Sequence, residues 1–227
     1  MGMGIRRILK TVRSLSLEDI SRARDIVRTV DAVGEHSLAH EDHLVLLYRL
    51  AARVTREDIP GDLVECGAYN GASAAVLGRG ARDARRLWLF DSFEGLPRGG
   101  ERDNAATVSM KSGAVRGNER VARQLLMANS LRNYEIRKGW FQDTFPAAKV
   151  GSIAILHVDA DWYESTKLAI ATFWPRVSCG GYLVIDDYVS EKYPGVRAAV
   201  DELIDHVTVA SKFAFVRKTP AVPKTNP

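Results

Sequence analysis

The chain changes its pattern of apolar and polar residues near residue 61. From there to residue 217, short apolar runs alternate with longer segments in which apolar residues recur at helical spacing. The runs cover residues 62–66, 86–91, 134–138, 153–159, 181–186 and 213–217. Such alternation is typical of an α/β fold, so we predict a mostly parallel central sheet with helices on both faces. We expect this domain to cover residues 59–218, followed by a proline-rich, frayed tail at residues 219–227.

The first 58 residues carry helical patterns and no strand-like run. One helix is predicted from Leu17 to Val33 and another from Glu41 to Val54. Upstream of both, apolar residues at helical spacing among Arg and Lys predict an amphipathic helix over residues 5–15. Such a helix suits a membrane surface or a partner subunit, but we favour packing on the protein's own body. Residues 1–58 are therefore predicted to be an extra helical region, and a homo-oligomer contact is expected there.

Two of the apolar runs end abruptly in carboxylates. The first leads into Asp159 and Asp161, and the second leads into Asp186 and Asp187. Parallel strands end at one edge of their sheet, where open α/β folds place their ligands. Four carboxylates in one crevice repel one another unless a cation neutralises them, and oxygen ligands favour Mg²⁺, Mn²⁺ or Ca²⁺ over zinc. The alternative is that some of these residues only cap the helices that follow.

A strand, a glycine turn and a helix are predicted between Asp62 and Val76. Gly67 and Gly71 permit a tight turn with close approach of a ligand. The spacing is not that of the dinucleotide motif G-x-G-x-x-G, and many strand-to-helix turns use glycine for geometry alone. The next strand-like run ends in Asp91, where nucleotide-binding α/β folds place the carboxylate for ribose hydroxyls. We predict that Asp91 binds ribose, with a capping or turn role as the alternative.

Six segments in collinear order resemble the metal-dependent macrocin and mycinamicin sugar O-methyltransferases of class I. They lie within roughly residues 58–205 and comprise residues 60–72, 90–97, 138–146, 158–166, 180–188 and 194–197. Two features depart from the family pattern. Residues 35–40 do not align with it, and Ala160 stands where relatives often carry glycine. The first departure leaves the acceptor open.

The resemblance implies a Rossmann-like class I methyltransferase fold and S-adenosylmethionine as the cofactor. The residues that it places against the cofactor are Glu65, Gly67, Asn70, Gly71, Ser73, Asp91 and Ser92. Trp140 or Phe141 is a candidate for stacking on adenine, although a core role is an equal interpretation. Mg²⁺ or Mn²⁺ would be held by Asp159, Asp186 and Asp187, with Asp161 as the general base. The residues themselves leave Asp159 and Asp161 exchangeable.

By the same resemblance, the acceptor is a hydroxyl of a sugar, either a saccharide or a glycosylated natural product. The N-terminal helices would form its pocket or lid, so His36, His40 and His43 are candidates to face it. The loop over residues 97–119, rich in Gly, Arg, Asn and Ser, is predicted to be mobile above the site. A catechol or other small phenol could replace the sugar at the same metal. A glycosyltransferase that uses Asp159 and Asp161 as a D-x-D motif and a non-catalytic binding protein are weaker alternatives.

The composition excludes several other classes of protein. Hydrophobic residues make up 46% and charged residues 26% of 227 residues, which is typical of a globular domain. No apolar run is long enough to span a bilayer, so we expect a cytoplasmic protein. The net charge of +4 comes largely from residues near the two ends, and no aromatic and basic nucleic-acid motif accompanies it. Cys66 and Cys179 fit neither a zinc site nor a disulfide framework.

Overall fold

The computed structural model describes residues 23–104 and 112–220. Its helices are α1 (Ala23–Val33), α2 (Glu41–Arg56), α3 (Ala72–Gly80), α4 (Glu119–Ala128), α5 (Phe141–Ala147), α6 (Tyr163–Phe173) and α7 (Pro194–Leu203). Its strands are β1 (Asp62–Cys66), β2 (Leu87–Asp91), β3 (Tyr134–Lys138), β4 (Ile153–Val158), β5 (Val177–Ile185), β6 (Thr208–Ala210) and β7 (Phe213–Arg217). Short 3₁₀ helices cover Gly34–His36 and Trp174–Arg176.

The seven strands form one sheet in the order β3-β2-β1-β4-β5-β7-β6. Neighbouring strands from β3 to β5 pair in parallel, while β7 runs antiparallel to both β5 and β6. The chain winds outward from β1 in one direction and from β4 in the other, so a crevice opens where these two strands end. This arrangement confirms the predicted Rossmann-like α/β fold.

The sheet is covered by apolar side chains on both faces. Alternate residues of β1 point to opposite sides, so Leu63 belongs to one buried cluster and Val64 to the other. The cluster around Leu63 also contains Ile26 of α1 and Leu44 of α2. Residues 23–58 therefore share a core with the sheet. Their apolar faces account for the position of the two helices that precede the first strand.

Strands β5 and β6 differ most from the sequence predictions. Strand β5 begins at Val177 and not at residue 181, because Val177 already pairs with Ile153 ahead of a register irregularity. The sequence pattern is interrupted there by Gly180, which has φ +86°. Strand β6 was not predicted, since its three residues are mostly exposed and show no apolar run. It forms by pairing with β7, from which only a short turn separates it.

The remaining predictions concern segments that are described only in part. The amphipathic helix over residues 5–15 lies outside the described residues, as do residues 105–111 of the loop and residues 221–227 of the tail. The described part of the first predicted helix is α1, and α2 runs two residues beyond its predicted end. Within residues 23–104 and 112–220, none of the helices has the length and apolarity that a membrane span requires.

Candidate active site

The ladder of backbone hydrogen bonds continues past the ends of the central strands. The N–H of Gly67 donates to the carbonyl of Phe90 at 2.8 Å, and the N–H of Asp159 donates to Cys66 at 2.9 Å. The N–H of Asp186 donates in turn to Val158 at 3.0 Å. These bonds hold the residues after β1, β4 and β5 at the same edge of the sheet. A cavity of about 820 Å³ opens there.

Gly67 marks the point where the chain after β1 passes closest to the chain after β4. A Cβ atom at this position would lie 1.7 Å from the carbonyl oxygen of Asp159, and the backbone has φ +93°. Both conditions exclude a side chain. Glycine is therefore required for the two halves of the cavity to meet, and Gly67 itself lines the cavity.

The glycine turn divides its predicted ligands into two groups. Ser73, at the start of α3, lines the cavity, whereas Asn70 and Gly71 do not. The side-chain oxygen of Asn70 accepts a hydrogen bond from the N–H of Asn118 at 3.0 Å, which ties the turn to the start of α4. Gly71 has φ +80° and is the N-cap of α3. For Asn70 and Gly71 the structure thus shows a role in shaping the turn, and their contact with a cofactor stays a prediction.

Asp91 lies at the end of β2 and lines the cavity together with Ser92. Its two carboxylate oxygens accept hydrogen bonds from the backbone N–H groups of Phe93 at 2.6 Å and Tyr69 at 2.8 Å. Burial raises the pKa of Asp91, and these backbone donors oppose that rise. The carboxylate is therefore fixed in direction before any ligand binds.

Glu65 does not reach the cavity, contrary to the prediction of a cofactor contact. It is completely buried in the middle of the sheet, and its Oε1 lies 2.8 Å from Nδ1 of His157 on β4. Glu65 and His157 are direct partners in the β1/β4 register, which explains the pairing. The family resemblance placed Glu65 against the cofactor. The alternation of side chains along β1 instead directs Glu65 into the core.

The carboxylates that follow β4 and β5 converge. Oxygens of Asp159, Asp161 and Asp187 lie within 4.8 Å of one another. Asp161 has φ +58° and Asp187 has φ +55°, a backbone conformation that costs free energy for a residue with a side chain and is often found at functional sites. All three line the cavity, as does Asp186.

The same crowding changes how readily these carboxylates ionise. Burial, followed by repulsion from neighbouring carboxylates, raises the pKa of Asp161 to about 7 and that of Asp187 to about 6. It raises the pKa of the half-buried Asp159 as well. Three acidic groups that raise one another's pKa form a site to which a cation would bind favourably.

The oxygens of Asp159, Asp161 and Asp187 have the separations that a hard cation requires. A cation that contacts every ligand at about 2.1 to 2.5 Å requires oxygens no more than about 4 to 5 Å apart. Asp159, Asp161 and Asp187 meet that requirement with oxygen ligands alone, so they fit Mg²⁺ or Mn²⁺. The predicted set had Asp186 in place of Asp161. Asp186 is outside the cluster, because one of its oxygens faces His43 at 3.2 Å.

Of the three candidate histidines, two line the cavity and one does not. His36 and His40 line the cavity, and their contact with an acceptor stays a prediction. His43 does not face the cavity. Its side chain is 1% exposed and lies beside Asp186, where burial lowers the pKa of the ring and the Asp186 carboxylate opposes that change. The prediction that His43 faces an acceptor is therefore wrong.

Several cavity residues were missed by the sequence analysis. The hydroxyl of Tyr193 is within hydrogen-bonding reach of the Asp161 carboxylate, and Lys192 and Lys212 line the same side. Arg98 and Leu96, from the loop after β2, also line the cavity. The signal that could have identified Tyr193 and Lys192 is their place just ahead of α7, in the segment that follows the second carboxylate pair. Trp140, which was predicted, lines the cavity with Phe141.

The sequence is similar to those of known O-methyltransferases. A family model described as macrocin-O-methyltransferase (TylF) matches residues 20–220. A 4'-O-methyltransferase of Streptomyces olivaceus that is named for a rhamnosyl-tetracenomycin is 37% identical over 163 residues, which are 67% of this chain and 62% of that protein. The mycinamicin III 3''-O-methyltransferase of Micromonospora griseorubida is 31% identical over 196 residues, which are 80% of this chain and 75% of that protein.

Solved structures of O-methyltransferases have the same fold as this chain. The O-methyltransferase NovP has a TM-score of 0.71 and 28% identity, with 81% of this chain and 82% of that chain covered. The calicheamicin methyltransferase CalS11 is 19% identical with a TM-score of 0.68 over 94% of this chain and 91% of that chain, and supports the fold alone. The chain spans about three fifths of the length of the first curated relatives that it matches. The match over residues 20–220 and the shared architecture show that this chain belongs to the macrocin O-methyltransferase (TylF) family.

Proposed function

We propose that this protein is an S-adenosylmethionine-dependent O-methyltransferase that methylates a sugar hydroxyl of a glycosylated natural product with the help of Mg²⁺ or Mn²⁺. One observation carries the proposal. A single cavity is lined at one end by Gly67, Ser73 and Asp91 and at the other by the converging carboxylates of Asp159, Asp161 and Asp187. Two related proteins are named as O-methyltransferases of a rhamnosyl-tetracenomycin and of mycinamicin III, which supports the choice of acceptor.

The cofactor end of the cavity would bind S-adenosylmethionine, which supplies a methyl group activated by its sulfonium. Asp91 is directed at the cavity by two backbone donors and would accept hydrogen bonds from the ribose hydroxyls. Gly67 leaves room for the close approach of the ligand, and Ser73 adds a hydroxyl at the start of α3. Trp140 lines the same cavity and carries an aromatic ring, so we assign it to the adenine.

The acceptor end would hold the cation and the reacting hydroxyl. The cation supplies positive charge that favours loss of the hydroxyl proton. Asp159 and Asp187 would contribute oxygens to it, and Asp161, whose oxygen lies within 4.8 Å of theirs, would accept the proton. Tyr193 stabilises the position of the Asp161 carboxylate through its hydroxyl. The role of these residues is to orient one hydroxyl and to remove its proton as the methyl group arrives.

The N-terminal region would form the outer wall for the acceptor. Residues His36 to His40 line the cavity, and Leu38 among them is 70% exposed. Two exposed leucines in the lining, Leu38 and Leu168 at 37% exposure, suit an acceptor that carries an apolar part next to its sugar. Membership of a methyltransferase family argues against the glycosyltransferase alternative. Homo-oligomer formation and a cytoplasmic location stay predictions.

Calorimetry and a methylation assay test the proposal together. S-adenosylhomocysteine should bind to the full chain, and a nucleotide sugar such as UDP-glucose should not compete with it. Methyl transfer to a panel of macrolide and aromatic glycosides should depend on Mg²⁺ or Mn²⁺ and stop in EDTA. Turnover of simple catechols with no turnover of any glycoside would contradict the sugar assignment. Full activity in exhaustively chelated protein would remove the cation from the mechanism.

A further inference from the structure

A chain of buried polar side chains lies directly beneath the carboxylates of the cavity. It runs from Glu65 on β1 through His157 on β4 and His43 on α2 to Asp186 after β5. Glu65 and His157 have no exposed surface, and His43 is 1% exposed. The proposed chemistry uses none of the four, although Asp186 lines the cavity. Ionisable groups at such depth cost free energy in the folded state, so a specific contact is expected to account for them.

His43 has a fixed ring orientation. The ring stacks on Phe213 of β7 at 4.5 Å with an angle of 20° between the planes, and it meets His157 edge to face at 5.0 Å. These two contacts leave Nδ1 at 3.2 Å from Oδ1 of Asp186. Among the described residues, neither nitrogen of His43 has a well-aligned hydrogen-bond partner. The Asp186 carboxylate is the acidic group that the structure places beside Nδ1.

Asp186 is therefore contacted on one oxygen from two directions. Besides His43, the backbone N–H of Asp187 donates to the same Oδ1 at 3.0 Å. Oδ2 is the oxygen that these contacts leave for the cavity, which Asp186 lines. A carboxylate whose inner oxygen is held by a histidine and a backbone donor keeps its outer oxygen in a constant direction, as carboxylates around metal sites commonly do.

We propose that His43 is a positioning residue for the cation site, holding Oδ1 of Asp186 so that Oδ2 is directed towards the site that Asp159, Asp161 and Asp187 form. The inference rests on the cation of the proposed function. It also gives α2 a part in the site, because the segment that lines the acceptor end leads directly into the helix that carries His43. Docking of this N-terminal helix on the sheet and the binding of the cation would then be linked.

The test measures cation binding and not turnover. Mn²⁺ affinity of the full chain is determined by electron paramagnetic resonance and calorimetry, without acceptor, for the parent, His43→Phe and His43→Asn. Phe keeps a ring against Phe213 but has no donor, while Asn keeps an N–H near the position of Nδ1. We expect His43→Phe to weaken Mn²⁺ binding about 10- to 100-fold and His43→Asn to stay within about threefold of the parent. Affinity for S-adenosylhomocysteine should not change in either variant.

A matched control and a double-mutant cycle separate positioning from packing. Phe213→Leu removes the stacking partner of His43 and leaves the donor, so it should lower the melting temperature with little loss of Mn²⁺ affinity. In an Asp186→Asn background, His43→Phe should cause no further loss, because its effect passes through Asp186. His43→Leu serves the same comparison if the Phe variant does not fold.

Three results would overturn the inference. They are parental Mn²⁺ affinity in His43→Phe, equal losses in the Phe and Asn variants, and additive losses in the cycle with Asp186→Asn. Failure of the parent itself to bind Mn²⁺ would instead remove the cation of the proposed function, and the role of His43 with it. The two failures are therefore distinguishable by the parent measurement alone.

Discussion

At the end of β2, Asp91 accepts hydrogen bonds from two backbone N–H groups, whereas Asp159, Asp161 and Asp187 at the ends of β4 and β5 face one another. Burial raises the pKa of the carboxylates in both places, but only Asp91 has several backbone donors to oppose it. In the cofactor half of the cavity, backbone N–H groups thus stabilise the carboxylate of Asp91. The acceptor half has an excess of negative charge that an added cation would balance. Mutations should therefore affect the two halves differently.

The largest effect is expected from Asp161→Asn. The amide keeps the shape of the side chain but cannot accept the proton, so methyl transfer should fall by about 10² to 10⁴. The cofactor half should not respond, and calorimetry should show parental affinity for S-adenosylhomocysteine. Asp205→Asn, at an exposed position beyond α7, provides the control. Near-parental turnover of Asp161→Asn would move the base to another residue.

Gly67→Ala tests the point at which the two halves meet. The new Cβ would require the chain after β1 to move away from the carbonyl of Asp159, and the residue would also adopt a positive φ. The free energy of unfolding should fall by about 2 to 5 kcal/mol from these combined strains. Denaturation in urea measures it. Gly151→Ala is the control, since a Cβ there meets nothing within 4 Å.

Asp91→Asn should weaken only the cofactor half. The amide loses the negative charge and can serve only one of the two backbone donors, so affinity for S-adenosylhomocysteine should fall by about 1 to 3 kcal/mol. Mn²⁺ affinity should be unchanged, because Asp91 is outside the carboxylate cluster. Asp62→Asn, at the start of β1 where the amide oxygen can still accept from Trp88, should behave like the parent in both titrations. Unaltered cofactor affinity in Asp91→Asn would contradict the ribose assignment.

The smallest effect is expected for charges outside the cavity. Arg123 and Glu119 form an ion pair at 2.8 Å on α4, with side chains 46% and 29% exposed. Solvent screens such a pair, so Arg123→Gln should change the free energy of unfolding by no more than about 0.5 kcal/mol. A loss similar to that of Gly67→Ala would mean that exterior charges matter as much as the geometry of the sheet edge.

The sequence predicted most of the strands because short strand-like runs alternate with helical segments along the chain. The strands predicted at residues 62–66, 134–138 and 213–217 agree with the observed β1, β3 and β7. Strand β6 was missed because its pairing depends on β7 and not on its own residues. The grouping of Asp159, Asp161 and Asp187 at one edge was anticipated, since parallel strands end together. Their individual roles stay proposals.

What the sequence determined by itself was the alternation of elements, the acidic strand ends and the family, because these depend on residues that are close along the chain. Tertiary structure decided which side chains reach the cavity. Strand alternation placed Glu65 against His157 in the core, and the docking of α2 placed His43 beneath Asp186. These pairs join residues 92 and 143 positions apart, the second being 186 − 43. A contact at such separation is set by how the helices pack on the sheet, which no local pattern specifies.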